Sequence, residues 1–144
     1  MFGRKNTHKK YVDLKYPNIE FDSSWEFMVY DFLKMNNISF IYQCNPIQYE
    51  YNGKQHLYFP DFNIAGRLIE IKGDNFFRIN EETGKEEMYC TWRSPSWSDE
   101  QYEYACGLFN AKYQCMLTNN VIIFRGRDVK NLSLNLLHER GIMV

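Results

Sequence analysis

The chain has 144 residues, a formal net charge of -1, 44% hydrophobic and 17% aromatic side chains. This length and composition suit one packed domain, and the frequent Phe and Tyr favour strands, so we expect a mixed α/β domain. No apolar run approaches the length of a membrane span, which is about 18 residues or more. The basic N-terminus lacks the apolar core of a signal peptide. We therefore expect a soluble cytoplasmic protein without a membrane partner.

The cysteines and histidines do not indicate a zinc site. Cys44, Cys90, Cys106 and Cys115 form no Cys-x-x-Cys pair, and the three histidines are scattered. We interpret the cysteines as reduced thiols.

Basic side chains are concentrated in residues 1–15, where Asp13 is the only acid. They are Arg4, Lys5, Lys9, Lys10 and Lys15. Such a basic arm is either a solvated tail or a set of phosphate contacts, because Lys and Arg displace counterions from a nucleic acid. Composition alone leaves both interpretations open.

After the arm, the pattern predicts a helix, a strand, a hairpin, two further strands, a weakly patterned segment, a helix, a strand and a final helix. The expected bounds, in that order, are 23–35, 38–43, 47–59, 57–62, 68–71, 75–98, 98–118, 121–124 and 128–141. Ser23 and Ser98 are predicted N-caps, and Asn52-Gly53 predicts a type I′ hairpin turn. No repeat or linker divides the chain, so we expect one domain over residues 1–144 with residues 75–98 as a loop insertion.

The stretch YFPDFNIAGRLIEIKGD carries the clearest chemical pattern. Strand side chains alternate between faces, so Glu70 and Lys72 share one face and Ile71 takes the other. Pro60 cannot donate to a ladder, so Asp61 is expected at a strand end, from which it can bend toward Glu70. Two carboxylates beside an ammonium suit a divalent metal with hard oxygen ligands, such as Mg2+. The structural alternative is a surface Glu-Lys pair with a turn aspartate.

Two residues on the predicted helices have a structural and a functional interpretation. Glu26 completes a capping box with Ser23, or it leans from the inner helix face toward the metal hairpin. Lys112 is a lysine with a buried stem and a solvated head, or it is a second cation near the site. In the weakly patterned segment, Trp92 and Arg93 either cover the sheet or contact nucleic acid.

The phrases FDSSWEFMVYDFL, GKQHLYFPDF, LIEIKGD and AKYQCMLTNNVIIF resemble the PD-(D/E)XK nuclease superfamily, and more narrowly its phage-encoded, homing-endonuclease-like members. The similarity covers most of residues 20–125. The order Glu, Asp, Glu-x-Lys is also similar to that of phage junction-resolving endonucleases. The acidic segment 81–87 and the absence of a separate DNA-binding domain depart from the pattern.

The resemblance implies a restriction-endonuclease-like αβββαβ core, in which a central mixed β-sheet is flanked by helices. It implies a Mg2+-dependent DNA endonuclease, with Mn2+ substituting, that hydrolyses phosphodiester bonds in the cytoplasm, or in the host cytoplasm if it is phage-encoded. Glu26, Asp61, Glu70 and Lys72 are the expected catalytic residues. Asp61, Glu70 and the Ile71 carbonyl are the expected metal ligands, with Glu26 as a further candidate.

The expected partner is DNA, and the candidate contacts are Arg4, Lys5, Lys9, Lys10, Trp92, Arg93 and Lys112. One alternative is a Holliday-junction or branched-DNA resolvase of the same fold, which would be a homodimer. Another is a catalytically silent nucleic-acid-binding module that keeps the nuclease fold.

Overall fold

The computed structural model describes the backbone of residues 11–13 and 16–21 and the whole of residues 23–143. Within the predicted basic arm, Tyr11–Asp13 pairs with Tyr16–Phe21 as an antiparallel two-stranded sheet. Arg4, Lys5, Lys9, Lys10 and Lys15 lie outside the described residues. Their contact with phosphate stays a prediction.

Seven strands lie between the first two helices, with a short 3-10 turn at Asp74–Phe76, and one strand and two short helices follow. In chain order they are β1 (Tyr11–Asp13), β2 (Tyr16–Phe21), α1 (Ser24–Met35), β3 (Phe40–Tyr42), β4 (Ile47–Tyr51), β5 (Lys54–Tyr58), β6 (Phe62–Ile64), β7 (Arg67–Ile71), β8 (Phe77–Ile79), β9 (Glu86–Met88), α2 (Asp99–Thr118), β10 (Ile122–Phe124), α3 (Gly126–Lys130) and α4 (Leu134–Glu139).

A mixed four-stranded sheet lies at the centre, in the order β10-β7-β6-β3. β6 pairs antiparallel with both β3 and β7, whereas β7 and β10 are parallel. A parallel pair needs a long crossover connection, and α2 lies within it. With α1 ahead of β3, the sheet and its helices follow the order αβββαβ. The expected fold class, a mixed sheet flanked by helices, is confirmed.

The two predicted serine N-caps and the predicted hairpin are confirmed. Ser23 caps α1, and Ser98 caps α2 with Gln101 as a reciprocal capping box. β4 and β5 pair around Asn52-Gly53, whose positive φ angles of 50° and 76° fit the expected type I′ turn.

The prediction of one strand over 57–62 is wrong. Leu57 and Tyr58 belong to β5, whose partner is β4 in a separate two-stranded sheet. Pro60 has no N–H for a ladder, and the chain enters the central sheet only at Phe62. The connection into β7 is also shorter than the predicted bounds of 57–62 and 68–71 imply, because Ile64 still pairs with Arg67.

The C-terminal helix is also not continuous over 128–141. It is divided into α3 and α4, and the Ser133 hydroxyl caps α4 by accepting a hydrogen bond from the Leu136 N–H. Asp128 lies inside α3, where its Oδ2 accepts from the Arg125 N–H at 2.9 Å. The Ser133 cap therefore starts a new helix within a range that the apolar spacing alone predicted as one continuous helix.

Residues 75–98 contain more regular structure than a loop insertion. β8 and β9 form an antiparallel hairpin, and the acidic segment 81–87 covers most of its tip and the start of β9. Phe77 packs edge-on against Tyr113 of α2 at 5.5 Å, and Met88 is buried in the same cluster. The hairpin is thereby attached to α2.

The sheet has apolar clusters on both faces. Val29 and Leu33 of α1 pack with Ile69 and Ile71, and this cluster also includes α3 and α4. The opposite cluster joins Tyr58 and Met88 to Tyr113, Cys115 and Met116 of α2. In the part of the chain that the structure describes, no helix is both long enough and apolar enough to cross a membrane.

Candidate functional site

The predicted acids meet at one edge of the central sheet, where β7 ends and β6 begins. The Asp61 N–H donates to the Ile69 carbonyl at 3.1 Å, although Asp61 precedes β6. In return, the Ile71 N–H donates to Asp61 Oδ2 at 2.8 Å. Asp61 is therefore fixed beside the end of β7 by its backbone and by its side chain.

Glu70 lies on the face of β7 that was predicted from strand alternation. Ile69 and Ile71 pack with α1, whereas Leu68, on the other face, packs toward α2. The Glu70 side chain is 4% exposed, and its Oε1 accepts a hydrogen bond from the Tyr58 hydroxyl at 2.7 Å. A buried carboxylate needs such a donor, because burial without one is costly.

Glu26 shows one half of the predicted capping box and also the predicted position on the inner face of its helix. Its N–H donates to the Ser23 hydroxyl at 3.1 Å, as expected at the start of a helix. Its side chain is buried, and Oε1 accepts from the Tyr42 hydroxyl at 3.0 Å. The carboxylate is also close enough to Asp61 to raise the pKa of that group. The structure therefore brings Glu26 to the same site as Asp61.

The electrostatics of the site centre on Asp61. Burial raises its pKa well above the usual 3.8, and the neighbouring charges of Glu70 and then Glu26 raise it further. The Ile71 N–H and the Lys72 ammonium act in the opposite direction, but the pKa remains raised. The carboxylates of Glu26, Asp61 and Glu70 thus repel one another in a site that is largely shielded from solvent. A divalent cation would relieve this repulsion.

The chemistry of these donors fits Mg2+, which prefers carboxylate and carbonyl oxygens. Asp61 and Glu70 each have one oxygen that accepts a hydrogen bond from the protein, through the Ile71 N–H and Tyr58 respectively. As the side chains stand, no group of three or more His, Cys, Asp or Glu among the described residues is arranged to hold a metal ion. The metal remains an expectation from the donor set and its charge.

The two predicted lysines lie beside aromatic rings near these acids. The Lys72 ammonium is 4.4 Å from the centre of the Phe76 ring. The Lys72 N–H donates to the Phe124 carbonyl at 3.0 Å, which continues the β7–β10 pairing. The Lys112 ammonium is 5.6 Å from the centre of the Tyr58 ring, whose hydroxyl contacts Glu70. Lys112 is therefore separated from Glu70 by one side chain.

Trp92 and Arg93 make their contacts in a different cluster. Trp92 packs edge-on against Trp97 at 5.2 Å and remains 40% exposed. Arg93 forms an ion pair with Asp99 at 2.6 Å and lies 4.9 Å from the Tyr102 ring. The predicted contact of Trp92 and Arg93 with nucleic acid stays a prediction.

The hydroxyl donors Tyr42 and Tyr58 were not anticipated from the sequence. Both occupy strands, where tyrosine is common, so nothing local distinguishes them from other aromatic residues. Their roles depend on pairing partners 16 and 12 residues away in sequence.

No protein-family model matches the chain, and neither the curated proteins nor the solved structures include one that matches it.

Proposed function

We propose that the chain is a Mg2+-dependent DNA endonuclease that hydrolyses phosphodiester bonds, of the PD-(D/E)XK type and similar to phage-encoded homing endonucleases. The main support is the meeting of Glu26, Asp61 and Glu70 beside Lys72 at one sheet edge, with the Asp61 pKa raised by burial and by the other two acids. The αβββαβ order of elements agrees with this proposal. The site of action would be the cytoplasm, or that of a host cell.

Asp61, Glu70 and the Ile71 carbonyl would hold Mg2+, which would polarise the scissile phosphate and lower the pKa of a bound water. The Tyr58 hydroxyl and the Ile71 N–H orient the two carboxylates. The Lys72 ammonium balances negative charge that develops on the phosphate. Glu26, on α1, orients the attacking water.

Cleavage of DNA by purified protein tests the proposal. We would compare plasmid, four-way-junction and single-stranded DNA in Mg2+ for the wild type, Asp61→Asn and Lys72→Ala. Lys54→Ala, at an exposed position of the β4–β5 hairpin, is the matched control. We expect Asp61→Asn and Lys72→Ala to lower the cleavage rate by about 100-fold or more, because each removes a charge from the reacting centre. Lys54→Ala should keep the wild-type rate.

Equal cleavage by all four proteins would refute the assignment of the site. Preference for four-way junctions, together with a dimer on sizing, would identify the resolvase alternative. DNA binding without cleavage in either Mg2+ or Mn2+ would instead identify the silent binding module.

A further inference from the structure

Three arginines line a cavity at β10, the strand that pairs with β7. It has a volume of about 400 Å3. The lining side chains are Asp74, Ile123, Arg125, Arg127, Asp128 and Arg140. We call it the arginine cavity.

The parallel pairing of β7 and β10 fixes the position of the arginine cavity. Ile71 is in register with Phe124, and the Lys72 N–H donates to the Phe124 carbonyl. Lys72 and Arg125 therefore leave neighbouring strands at the same edge of the sheet. A strand of DNA with one phosphate at Lys72 would pass this edge.

Two of the arginines are held in fixed positions by the fold. Arg140 forms an ion pair with Asp128 at 2.7 Å and donates to the Ile123 carbonyl at 2.9 Å. Arg125 forms an ion pair with Glu86 at 2.6 Å, and its guanidinium lies 3.6 Å from the centre of the Phe77 ring. Because these two guanidinium groups are already ordered, little side-chain entropy is lost when an anion binds beside them.

The third arginine differs from the other two in its ion pairing. Arg127 is exposed and forms no ion pair with another residue in the described part of the chain. Glu86 and Asp128 balance the charges of Arg125 and Arg140. Asp74, the other acid of the lining, is 66% exposed and lies 4.0 Å from Arg125. Planar guanidinium groups match the oxygens of phosphate. The exposed guanidinium of Arg127 therefore suits an anion more than a cation or an apolar ligand.

We infer that the arginine cavity binds a phosphate of the DNA backbone that flanks the cleaved phosphate, with Arg127 as the contacting residue. The inference rests on the proposed function for its ligand, DNA. The arginine cavity would add a phosphate-binding site on β10 and α3. The carboxylates of the acidic site lie on α1, on β7 and just before β6. Arg125 and Arg140 would position the phosphate while they keep their protein partners.

The test compares Arg127→Gln with Lys130→Gln. Lys130 is exposed on the same helix, and its substitution removes the same positive charge, but Lys130 does not line the cavity. Binding of the full chain to fluorescent duplex and four-way-junction DNA is measured without divalent metal, over a series of salt concentrations. For Arg127→Gln we expect several-fold weaker binding at low salt and a salt slope reduced by about 1, which corresponds to one lost phosphate contact. Lys130→Gln should keep the wild-type slope.

Equal slopes and affinities for the two variants would overturn the inference, as would a wild-type chain that binds no DNA. Both variants should keep the wild-type unfolding midpoint, because neither side chain anchors the fold. Since binding is measured without metal, it is independent of the cleavage assay. A chain that cleaves normally but binds equally in both variants refutes only the arginine cavity, and one that binds as expected but never cleaves refutes only the nuclease.

Discussion

Replacing Tyr58 with Phe tests the hydrogen bond that supports Glu70. The Tyr58 side chain is 1% exposed and Glu70 is 4% exposed, so water cannot easily replace the lost hydroxyl. The ring itself stays in the cluster with Met88 and Met116, and therefore no cavity of side-chain size forms. Only the 2.7 Å hydrogen bond to Glu70 is removed.

The expected loss follows from that geometry. A hydrogen bond to a charged group contributes about 1.5–3 kcal/mol, and its removal leaves the Glu70 carboxylate without this donor. We expect Tyr58→Phe to lower the free energy of unfolding by about this amount. For a domain of this size, the midpoint of thermal unfolding should fall by roughly 5–10 °C.

Urea unfolding, followed by tryptophan fluorescence in metal-free buffer, measures this loss. Tyr49→Phe is the matched control, since Tyr49 packs on the same cluster and its hydroxyl forms no hydrogen bond with another described residue. The control should change stability by less than about 0.5 kcal/mol. A Tyr58→Phe protein as stable as Tyr49→Phe would show that the hydroxyl does not stabilise Glu70.

Two further substitutions test the charge balance and the packing of the fold. Because burial, Glu70 and Glu26 raise the pKa of Asp61, the folded chain holds that proton more tightly than the unfolded chain, and metal-free stability falls as pH rises from 3.8 toward the raised pKa. Asp61→Asn should therefore raise stability at neutral pH and flatten its pH dependence in metal-free urea titrations, and a less stable variant would contradict this. In α2, a Cβ at Gly107 would overlap the Tyr51 hydroxyl and lie 2.8 Å from its Cζ. Gly107→Ala should lower the free energy of unfolding by about 1–3 kcal/mol despite the better helix propensity of alanine. A gain in stability would show that the tyrosine moves aside freely.

Features that depend on neighbouring residues were predictable from the sequence. The Ser23 and Ser98 caps, the Asn52-Gly53 turn and the end of α2 at Thr118 all follow from local hydrogen bonding and backbone preference. The same holds for the shared face of Glu70 and Lys72, because alternation along a strand is a local property.

The strand boundaries around Pro60 were less predictable. The predicted hairpin over 47–59 and the predicted strand over 57–62 overlap, so the pattern could not show that β5 and β6 belong to different sheets. That separation depends on which distant strand each segment pairs with: β4 for β5, and both β3 and β7 for β6. Pairing partners far apart in the chain are a tertiary property.

The sequence by itself determined the candidate acids, their lysine, the helix caps and the mixed class of the fold, since residue type and spacing act over a few positions. Only the tertiary structure decided that Tyr42 and Tyr58 donate to Glu26 and Glu70, and that Arg125, Arg127 and Arg140 line one cavity. Those contacts arise where elements distant in sequence pack together. Burial there makes each charge depend on its partners, and no local pattern records this dependence.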